Sequence, residues 1–129
     1  MKQLKKILLV DDDEAFNFLN RIVFTDNKVF CQVDEVMDGS SALGYLAATN
    51  ECPDVILLDI NMPVMDGFEF LEQFEKNSPC AAICKVFILT SSQREEDRQR
   101  ALGNKFVKGY FDKPLNGAHV KQILSEMEK

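Results

Sequence analysis

The stretch PDVILLDINMPVMDGFEFL, residues 53–71, places a short apolar run directly before a carboxylate. The run is Val55–Leu58, and Asp59 follows it at the position where a buried strand would end. Burying a carboxylate is unfavourable unless a cation or hydrogen-bond donors compensate its charge. Pro63 and the pair Asp66–Gly67 come next, and residues of these types mark a turn or loop. The stretch therefore predicts a buried strand that ends at a carboxylate, and it predicts that a cation or hydrogen-bond donors lie next to this carboxylate.

Similar apolar runs recur along the chain and alternate with stretches of helical periodicity. Strands that are apolar throughout are covered on both faces, and strands joined through helices run parallel. The predicted strands are Lys6–Val10, Gln32–Val36, Asp54–Asp59, Lys85–Thr90 and Gly109–Phe111. The predicted helices span residues 14–26, about 40–49, a stretch ending near 77, a stretch beginning near 92, and a last one beginning near 116. The predicted fold class is α/β, a doubly wound five-stranded parallel sheet with five flanking helices.

Capping residues predict where two of these helices begin. Ser40 or Ser41 is expected to cap the second helix. The segment Ser92–Glu95, SQRE, has the form of a capping box and predicts the start of the fourth helix. That helix is poor in large apolar residues, so we expect it to be packed weakly against the sheet and able to move. His119, on the last helix, is expected at the surface and away from the strand ends.

The totals of the chain limit the class of protein. Its 129 residues, 46% of them hydrophobic, suit one domain, which we expect to span residues 1–129. A net charge of −6 argues against direct binding of nucleic acid through phosphate contacts. No apolar stretch approaches the roughly 20 residues of a membrane-spanning helix. The N-terminal apolar run gives way to DDDE too early for a signal peptide, so we expect a cytoplasmic protein without membrane insertion.

The four cysteines, Cys31, Cys52, Cys80 and Cys84, do not indicate a metal site. Cys80 and Cys84 are spaced as C-x3-C, but no second pair or nearby histidine completes a ligand set. An even number of cysteines permits disulfides, yet a chain of this length with unbroken apolar runs does not need them. We therefore expect reduced, structurally passive thiols.

Polar side chains collect at the ends of the predicted strands. Asp11–Asp13 follow the first strand, Asp59 ends the third, Thr90 ends the fourth, and Lys113 follows the fifth. In doubly wound sheets, the carboxyl ends of the strands form the binding edge. Two carboxylates about 4 Å apart repel by about 4 kcal/mol at an effective dielectric constant of about 20. A hard cation with oxygen ligands, such as Mg²⁺, Mn²⁺ or Ca²⁺, would offset this repulsion, and Mg²⁺ fits best.

Four segments in this order, VDDDE, LLDINMPVMDG, ILTSS and GYFDKPL, resemble the receiver domain of two-component response regulators. The resemblance covers essentially the whole chain, and the order and spacing of all four segments match. It implies a flavodoxin-like fold with strand order 2-1-3-4-5. It also implies phosphorelay signalling, in which the domain is a self-phosphorylating switch that turns over no external substrate.

The resemblance assigns the phosphorylation chemistry to acidic residues. Asp59 matches the phosphoacceptor and a metal ligand, and the implied donor is a phosphohistidine on a sensor histidine kinase or a histidine phosphotransfer protein. Asp12 matches an acid that binds Mg²⁺ directly, and Asp11 matches one that acts largely through metal-bound water. Asn61 matches the position whose backbone carbonyl is a metal ligand. The implied recipient of the signal is a downstream protein target.

The resemblance also assigns the groups that bind phosphate and transmit the switch. Thr90 and Lys113 match the switch hydroxyl and the phosphate-binding lysine. Tyr110 matches an aromatic residue that changes rotamer on activation, and the expected output is a changed surface of the fourth helix, fifth strand and fifth helix. Pro114 matches a proline preceded by a cis peptide bond. The residues expected to shape turns around the site are Pro63, Gly67 and Pro114, with a positive φ permitted at Gly67.

Two other classes of protein use related residues. A phosphohydrolase with an aspartate nucleophile also combines aspartate, Mg²⁺, lysine and a hydroxyl. It usually has a second aspartate two residues after the nucleophile, where this chain has Asn61. A flavodoxin-like cofactor binder needs a phosphate-binding loop after the first strand, which here reads DDDE. With no effector domain after the last predicted helix, the chain is a stand-alone regulator, a relay intermediate or part of a longer protein.

Overall fold

The computed structural model describes residues 4–128, which alternate between strands and helices. The strands are β1 (Lys6–Val10), β2 (Gln32–Val36), β3 (Val55–Leu58), β4 (Lys85–Thr90) and β5 (Val107–Asp112). The helices are α1 (Glu14–Asp26), α2 (Gly39–Ala48), α3 (Gly67–Asn77), α4 (Glu95–Leu102) and α5 (Gly117–Met127), and a 3₁₀ turn spans Pro79–Ala82. Within the described residues, no helix has the length and apolar composition needed to cross a membrane. The strands pair in parallel in the order β2-β1-β3-β4-β5, which confirms the predicted fold.

Apolar side chains cover both faces of the sheet. Leu8 and Leu58 lie in the layer that the sheet forms with α2, α3 and α4, and Ile7 and Leu57 lie in the layer that it forms with α1 and α5. Every residue of β1 and β3 is buried, which explains why these strands are apolar without alternation. Strand β3 is one residue shorter at each end than predicted, and β5 begins two residues earlier and ends one later.

Helix α1 has the predicted bounds but buries a different face from the one its pattern suggests. The apolar residues that indicate the helix include Leu19 and Ile22, and both are exposed. The buried residues of α1 are Asn17, Asn20 and Phe24. The periodicity therefore predicts the helix correctly, while the side that faces the sheet is partly polar.

Two helices start at other residues than the capping patterns predict. Helix α2 begins earlier because the Asp38 carboxylate, rather than a serine, accepts a hydrogen bond from the Ser41 backbone N–H. Helix α4 begins at Glu95 instead of near Ser92. The Ser92 hydroxyl donates to the Asp97 carboxylate at 2.6 Å, and no described side chain caps α4. The prediction failed because the Ser92 hydroxyl accepts from the backbone N–H of Arg94, one residue before α4, and donates to a side chain of the helix instead of capping a backbone N–H within it.

The loop between β3 and α3 has its positive φ at an unexpected residue. The positive φ that Gly67 would permit does not occur, because Gly67 is the first residue of α3 and Asp66 caps that helix. Gly67 is needed for its small size, since a Cβ there would lie 2.7 Å from the Ile60 Cα. The residue with a positive φ is Val64, at 67°. This backbone conformation is unfavourable for a β-branched residue, so the loop is strained at Val64.

The expectation that all four cysteines are passive thiols is also wrong. Cys52, just before β3, and Cys80, in the 3₁₀ turn, form a disulfide. The two residues are 28 positions apart in the sequence. They meet only because the 3₁₀ turn folds back against the start of β3, which no local pattern indicates. Cys31 and Cys84 remain thiols.

Helix α5 begins beside Asn116, as predicted, but His119 is held more closely than a surface residue would be. The Asn116 side chain accepts from the His119 backbone N–H, and His119 Nδ1 accepts from the Asn116 backbone N–H. The imidazole also stacks on Phe111, with 4.5 Å between ring centroids. Burial lowers the pKa of His119 below its ordinary value. His119 is therefore a capping residue that packs against β5.

We expect the disulfide to contribute to stability. Closing a loop of this length reduces the entropy of the unfolded chain enough to stabilise the fold by about 3–4 kcal/mol in the chain-entropy model. A dithiol reductant should therefore lower the free energy of unfolding measured in urea. Cys52→Ser should show the lower value with or without reductant, whereas Cys31→Ser should retain the effect of reductant. Finding all four thiols reactive in denatured, unreduced protein would contradict the pairing.

We also expect relief of the strain at Val64 to stabilise the protein. Val64 is 100% exposed, so its replacement removes no packing. Val64→Asn should raise the free energy of unfolding by about 1 kcal/mol, because asparagine tolerates the left-handed region. Val64→Thr keeps the β-branch and should give no gain. Urea unfolding of the three proteins measures the difference, and a loss of stability in Val64→Asn would contradict the explanation.

Candidate functional site

Three carboxylates meet at the carboxyl edge of the sheet. Asp11 and Asp12 directly follow β1, and Asp59 directly follows β3. The two strands pair with Val10 opposite Leu58, so their ends coincide. One oxygen from each carboxylate lies within 4.8 Å of the other two. Asp11 and Asp59 are buried and Asp12 is exposed, so the cluster can be reached from the Asp12 side.

Backbone hydrogen bonds orient two of these carboxylates. The Asp59 N–H donates to the Val10 carbonyl at 2.9 Å, which continues the strand pairing for one more residue. The Asp59 carboxylate accepts from the Asn61 N–H at 3.0 Å. The Asp11 carboxylate accepts from the Asp13 N–H at 2.8 Å. Each buried acid is therefore held by its own loop as well as by its strand.

Lys113 reaches the cluster from the end of β5. Its Nζ lies 2.7 Å from Asp11 Oδ2 and 3.1 Å from Asp59 Oδ2, and its side chain is 7% exposed. The Lys113 backbone N–H donates to the Thr90 carbonyl at 2.9 Å. The peptide bond between Lys113 and Pro114 is cis, as the resemblance implies. The structure thus brings together the predicted acids and the predicted lysine.

Burial and charge act in opposite directions on the ionisation of this group. Burial lowers the pKa of the Lys113 ammonium, but the contact with Asp11 and the charge of Asp59 outweigh it, so the pKa lies above its ordinary value. Burial raises the pKa of the Asp11 carboxyl, and the contact with Lys113 offsets only part of that increase. The surroundings therefore keep the lysine charged, and further positive charge would stabilise ionised Asp11.

The predicted switch hydroxyl lies at the end of β4. Thr90 is fully buried, and its Oγ1 accepts a hydrogen bond from the Ser92 N–H at 3.3 Å. Tyr110, on β5, is half-buried, and its hydroxyl is enclosed without a hydrogen-bond partner among residues 4–128. The Arg98 guanidinium lies 5.9 Å from the centre of the Tyr110 ring. Both predicted switch residues therefore lie next to the start of α4.

The donors of the cluster suit a hard divalent cation. The three side chains offer carboxylate oxygens, which Mg²⁺ and Mn²⁺ prefer to softer ligands. The exposure of Asp12 leaves room for the water molecules that Mg²⁺ retains. Asn61 lies on the same loop as Asp59, within reach of the cluster through its backbone. The residues present therefore fit Mg²⁺.

Asn17 supports the site, although the sequence does not single it out. It is fully buried in α1, and its Nδ2 donates to the backbone carbonyl of Asp11 at 3.0 Å. Its Oδ1 is buried with no hydrogen-bond partner in the described part of the chain. The signal that could have found it is an asparagine that shares the inward side of the helix with Phe24.

Comparisons with known proteins agree on one family. The family model described as the response regulator receiver domain matches residues 7–125. The chain is 32% identical over 127 residues to the probable methanogenesis regulatory protein FilR2 of Methanothrix harundinacea, covering 95% of this chain and 81% of that protein. It is 30% identical over 132 residues to hybrid signal transduction histidine kinase L of Dictyostelium discoideum, covering 99% of this chain but 8% of the kinase. A solved two-component response regulator from Cytophaga hutchinsonii superimposes with a TM-score of 0.89 at 28% identity, covering 98% of both chains.

The geometry of the cluster predicts that binding of Mg²⁺ depends on Asp12. Asp12→Asn removes the exposed charge of the cluster and should weaken Mg²⁺ binding by roughly tenfold or more. Glu14→Gln removes an exposed acid two residues away and should change the affinity by less than about twofold, because solvent screens it. Calorimetric titration with Mg²⁺ measures both. Equal affinities of the wild type and Asp12→Asn would show that the cluster is not the binding site.

Proposed function

This chain belongs to the response regulator receiver domain family, and on that premise we propose that Asp59 accepts a phosphoryl group from a phosphohistidine. Receiver domains are signalling switches in phosphorelays and interact with histidine kinases. The proposed donor is a sensor histidine kinase or a histidine phosphotransfer protein. The proposed output is a changed α4–β5–α5 surface that a downstream protein target recognises. In this proposal residues 1–129 work as one receiver domain.

The observation that carries the proposal is the position of Lys113 between two acids. Its ammonium contacts both Asp11 and Asp59. An ammonium in that place has donors for the oxygens of a phosphoryl group attached to Asp59. If Lys113, Asp11 and Asp59 only stabilised the fold as ion pairs, the presence of a third carboxylate, Asp12, in the same cluster would have no explanation. Together the acids and the lysine supply the nucleophile, the cation ligands and the phosphate-binding charge that phosphoryl transfer requires.

In the proposed reaction a carboxylate oxygen of Asp59 attacks the phosphorus of the phosphohistidine. An O–P bond forms and gives an acyl phosphate, the P–N bond breaks, and its electron pair leaves with the imidazole. The Asn61 N–H holds one carboxylate oxygen of Asp59 at 3.0 Å, which orients the other. Lys113 donates hydrogen bonds to the phosphoryl oxygens. Hydrolysis of the acyl phosphate by water later restores Asp59.

A cation site forms part of this proposal. The receiver family binds Mg²⁺ at an acidic pocket, and the carboxylates of Asp11, Asp12 and Asp59, with the backbone carbonyl of Asn61, would hold it here. When bound, the ion supplies positive charge that stabilises the transferring phosphoryl group. Mn²⁺ is compatible with the same oxygen donors. The role of Asp11 and Asp12 is to retain this charge beside the nucleophile.

We propose that the switch reaches α4 through Thr90. The Thr90 hydroxyl would donate to a phosphoryl oxygen, and the Ser92 N–H that now bonds to Thr90 would move with it. Ser92 is in turn bonded to Asp97 in α4. Because α4 buries only Ala101, a shift of this helix breaks few contacts. Movement of Thr90 would vacate space into which Tyr110 can turn, so phosphorylation would raise the population of molecules with Tyr110 in that second rotamer.

The alternative, a phosphohydrolase with an aspartate nucleophile, lacks one group. Its general acid would stand at Asn61, and an amide has no acidic proton to give. Asn61 lines a surface depression of about 530 Å³ together with Arg94 and Asp97. Five of the nine residues that line this depression are charged, which suits the approach of a protein donor to the loop that follows Asp59. We therefore propose a switch that turns over no external substrate.

Incubation with acetyl phosphate and Mg²⁺, followed by intact-mass measurement, tests the proposal. The wild type should gain one phosphoryl group at Asp59. Asp59→Asn should gain none, because the amide cannot form the acyl phosphate. Asp26→Asn changes an exposed acid at the end of α1 and should behave as the wild type. Chelation of Mg²⁺ should abolish the adduct, and an adduct that persists on Asp59→Asn would reject the assignment of Asp59.

A further inference from the structure

One aromatic ring contacts the lysine of the site. The centroid of the Phe16 ring lies 4.3 Å from Lys113 Nζ, within the range of a cation–π contact. Phe16 is half-buried in the first turn of α1. The other neighbours of this ammonium are Asp11 Oδ2 at 2.7 Å and Asp59 Oδ2 at 3.1 Å. The ring is therefore a third contact, from a different element, on the same charged group.

We propose that Phe16 is a positioning residue that holds the Lys113 ammonium against the carboxylates and keeps water from that side of it. The inference rests on the proposed function, in which Lys113 donates to the phosphoryl group on Asp59. An ammonium has three N–H donors. Two carboxylate oxygens and one ring face occupy three directions around it, which leaves a flexible side chain little freedom to turn towards solvent.

The ring differs from the carboxylates because its contact can persist through the reaction. When Asp59 is phosphorylated, its contact with Lys113 is replaced by a contact with a phosphoryl oxygen. The contact with Phe16 involves no group that reacts. Cation–π attraction is stronger where water is excluded, and only 7% of the Lys113 side chain is exposed. Phe16 therefore supports Lys113 while the contact between the lysine and Asp59 is replaced.

The acidic loop itself sets the position of the ring. The Asp13 carboxylate accepts hydrogen bonds from the N–H groups of Ala15 at 2.9 Å and Phe16 at 3.3 Å. The N–H of Asp13 donates to the Asp11 carboxylate at 2.8 Å. One short segment thus orients an acid of the cluster and the residue that carries the ring. This coupling distinguishes Phe16 from an apolar residue that only fills space.

Two variants separate the π face of Phe16 from its volume. Phe16→Leu keeps an apolar side chain without a π face, and Phe16→Tyr keeps the face. Phe18→Leu makes the same change at a residue of α1 that is 62% exposed.

The rate constant of Asp59 phosphorylation is measured by intact mass at saturating Mg²⁺ over a range of acetyl phosphate concentrations. We expect Phe16→Leu to lower the maximal rate constant roughly tenfold, or about 1.4 kcal/mol, with little change in the half-saturating concentration. The other two variants should stay within about twofold of the wild type, because they retain the cation–π contact.

A second measurement does not depend on the reaction. The ring current of Phe16 should shift the NMR resonances of the Lys113 ε-methylene protons upfield. The shift should disappear in Phe16→Leu and remain in Phe16→Tyr and Phe18→Leu. A structural defect would not reproduce this pattern, and circular dichroism verifies that each variant is folded. Phe16→Met replaces Phe16→Leu if the latter does not fold.

The outcomes distinguish the two proposals. If the wild type forms the adduct and Phe16→Leu reaches the same maximal rate constant, the positioning role of Phe16 is overturned and the proposed function stands. Rate constants lowered equally in Phe16→Leu and Phe16→Tyr would overturn the role of the π face. Absence of any adduct on the wild type would overturn the proposed function. Unshifted Lys113 resonances in the wild type would overturn the contact itself.

Discussion

The ion pairs of the Lys113 ammonium with Asp11 and Asp59 are the interaction on which the site depends. Three carboxylates converge where strands of a parallel sheet end, and two of them are buried, so water screens their repulsion poorly. Lys113 supplies one positive charge against three negative ones. The charge that remains is uncompensated within the cluster, and this makes the edge of the sheet attractive to a divalent cation.

The sheet and the meeting of the site residues at its edge could largely be predicted, because they follow from apolar runs and helical periodicity that can be read within short stretches of the sequence. Buried parallel strands are continuous apolar runs, so β1 and β4 were predicted with their observed bounds. The bounds of β2, which is only partly buried, were predicted from its weak alternation and the turn that follows it. Once the strands are known, their parallel pairing carries Asp11, Asp59 and Lys113 to one edge of the sheet. The chemical roles of these residues come from the resemblance to receiver domains and remain predictions.

The features that could not be predicted depend on which of several possible partners a polar side chain bonds to in the folded chain, and on the path of a loop. Asn17 faces inward because the backbone carbonyl of Asp11 offers it a hydrogen bond, which a scale of hydrophobicity does not register. Ser92 bonds to Asp97 instead of capping α4, a choice between two partners that the capping pattern cannot make. The positive φ at Val64 is set by the path of the loop between β3 and α3, and a valine there gives no local sign of it.

The Cys52–Cys80 disulfide encloses β3, the loop that contains Val64, and α3 in one covalent ring. Val64 is fully exposed on that loop, at a place a protease can approach. A backbone cut beside it opens the ring without releasing either piece, because the sulfur–sulfur bond still joins the two halves. The nicked chain therefore migrates as one molecule on a denaturing gel, and it separates into two fragments only when reductant is added.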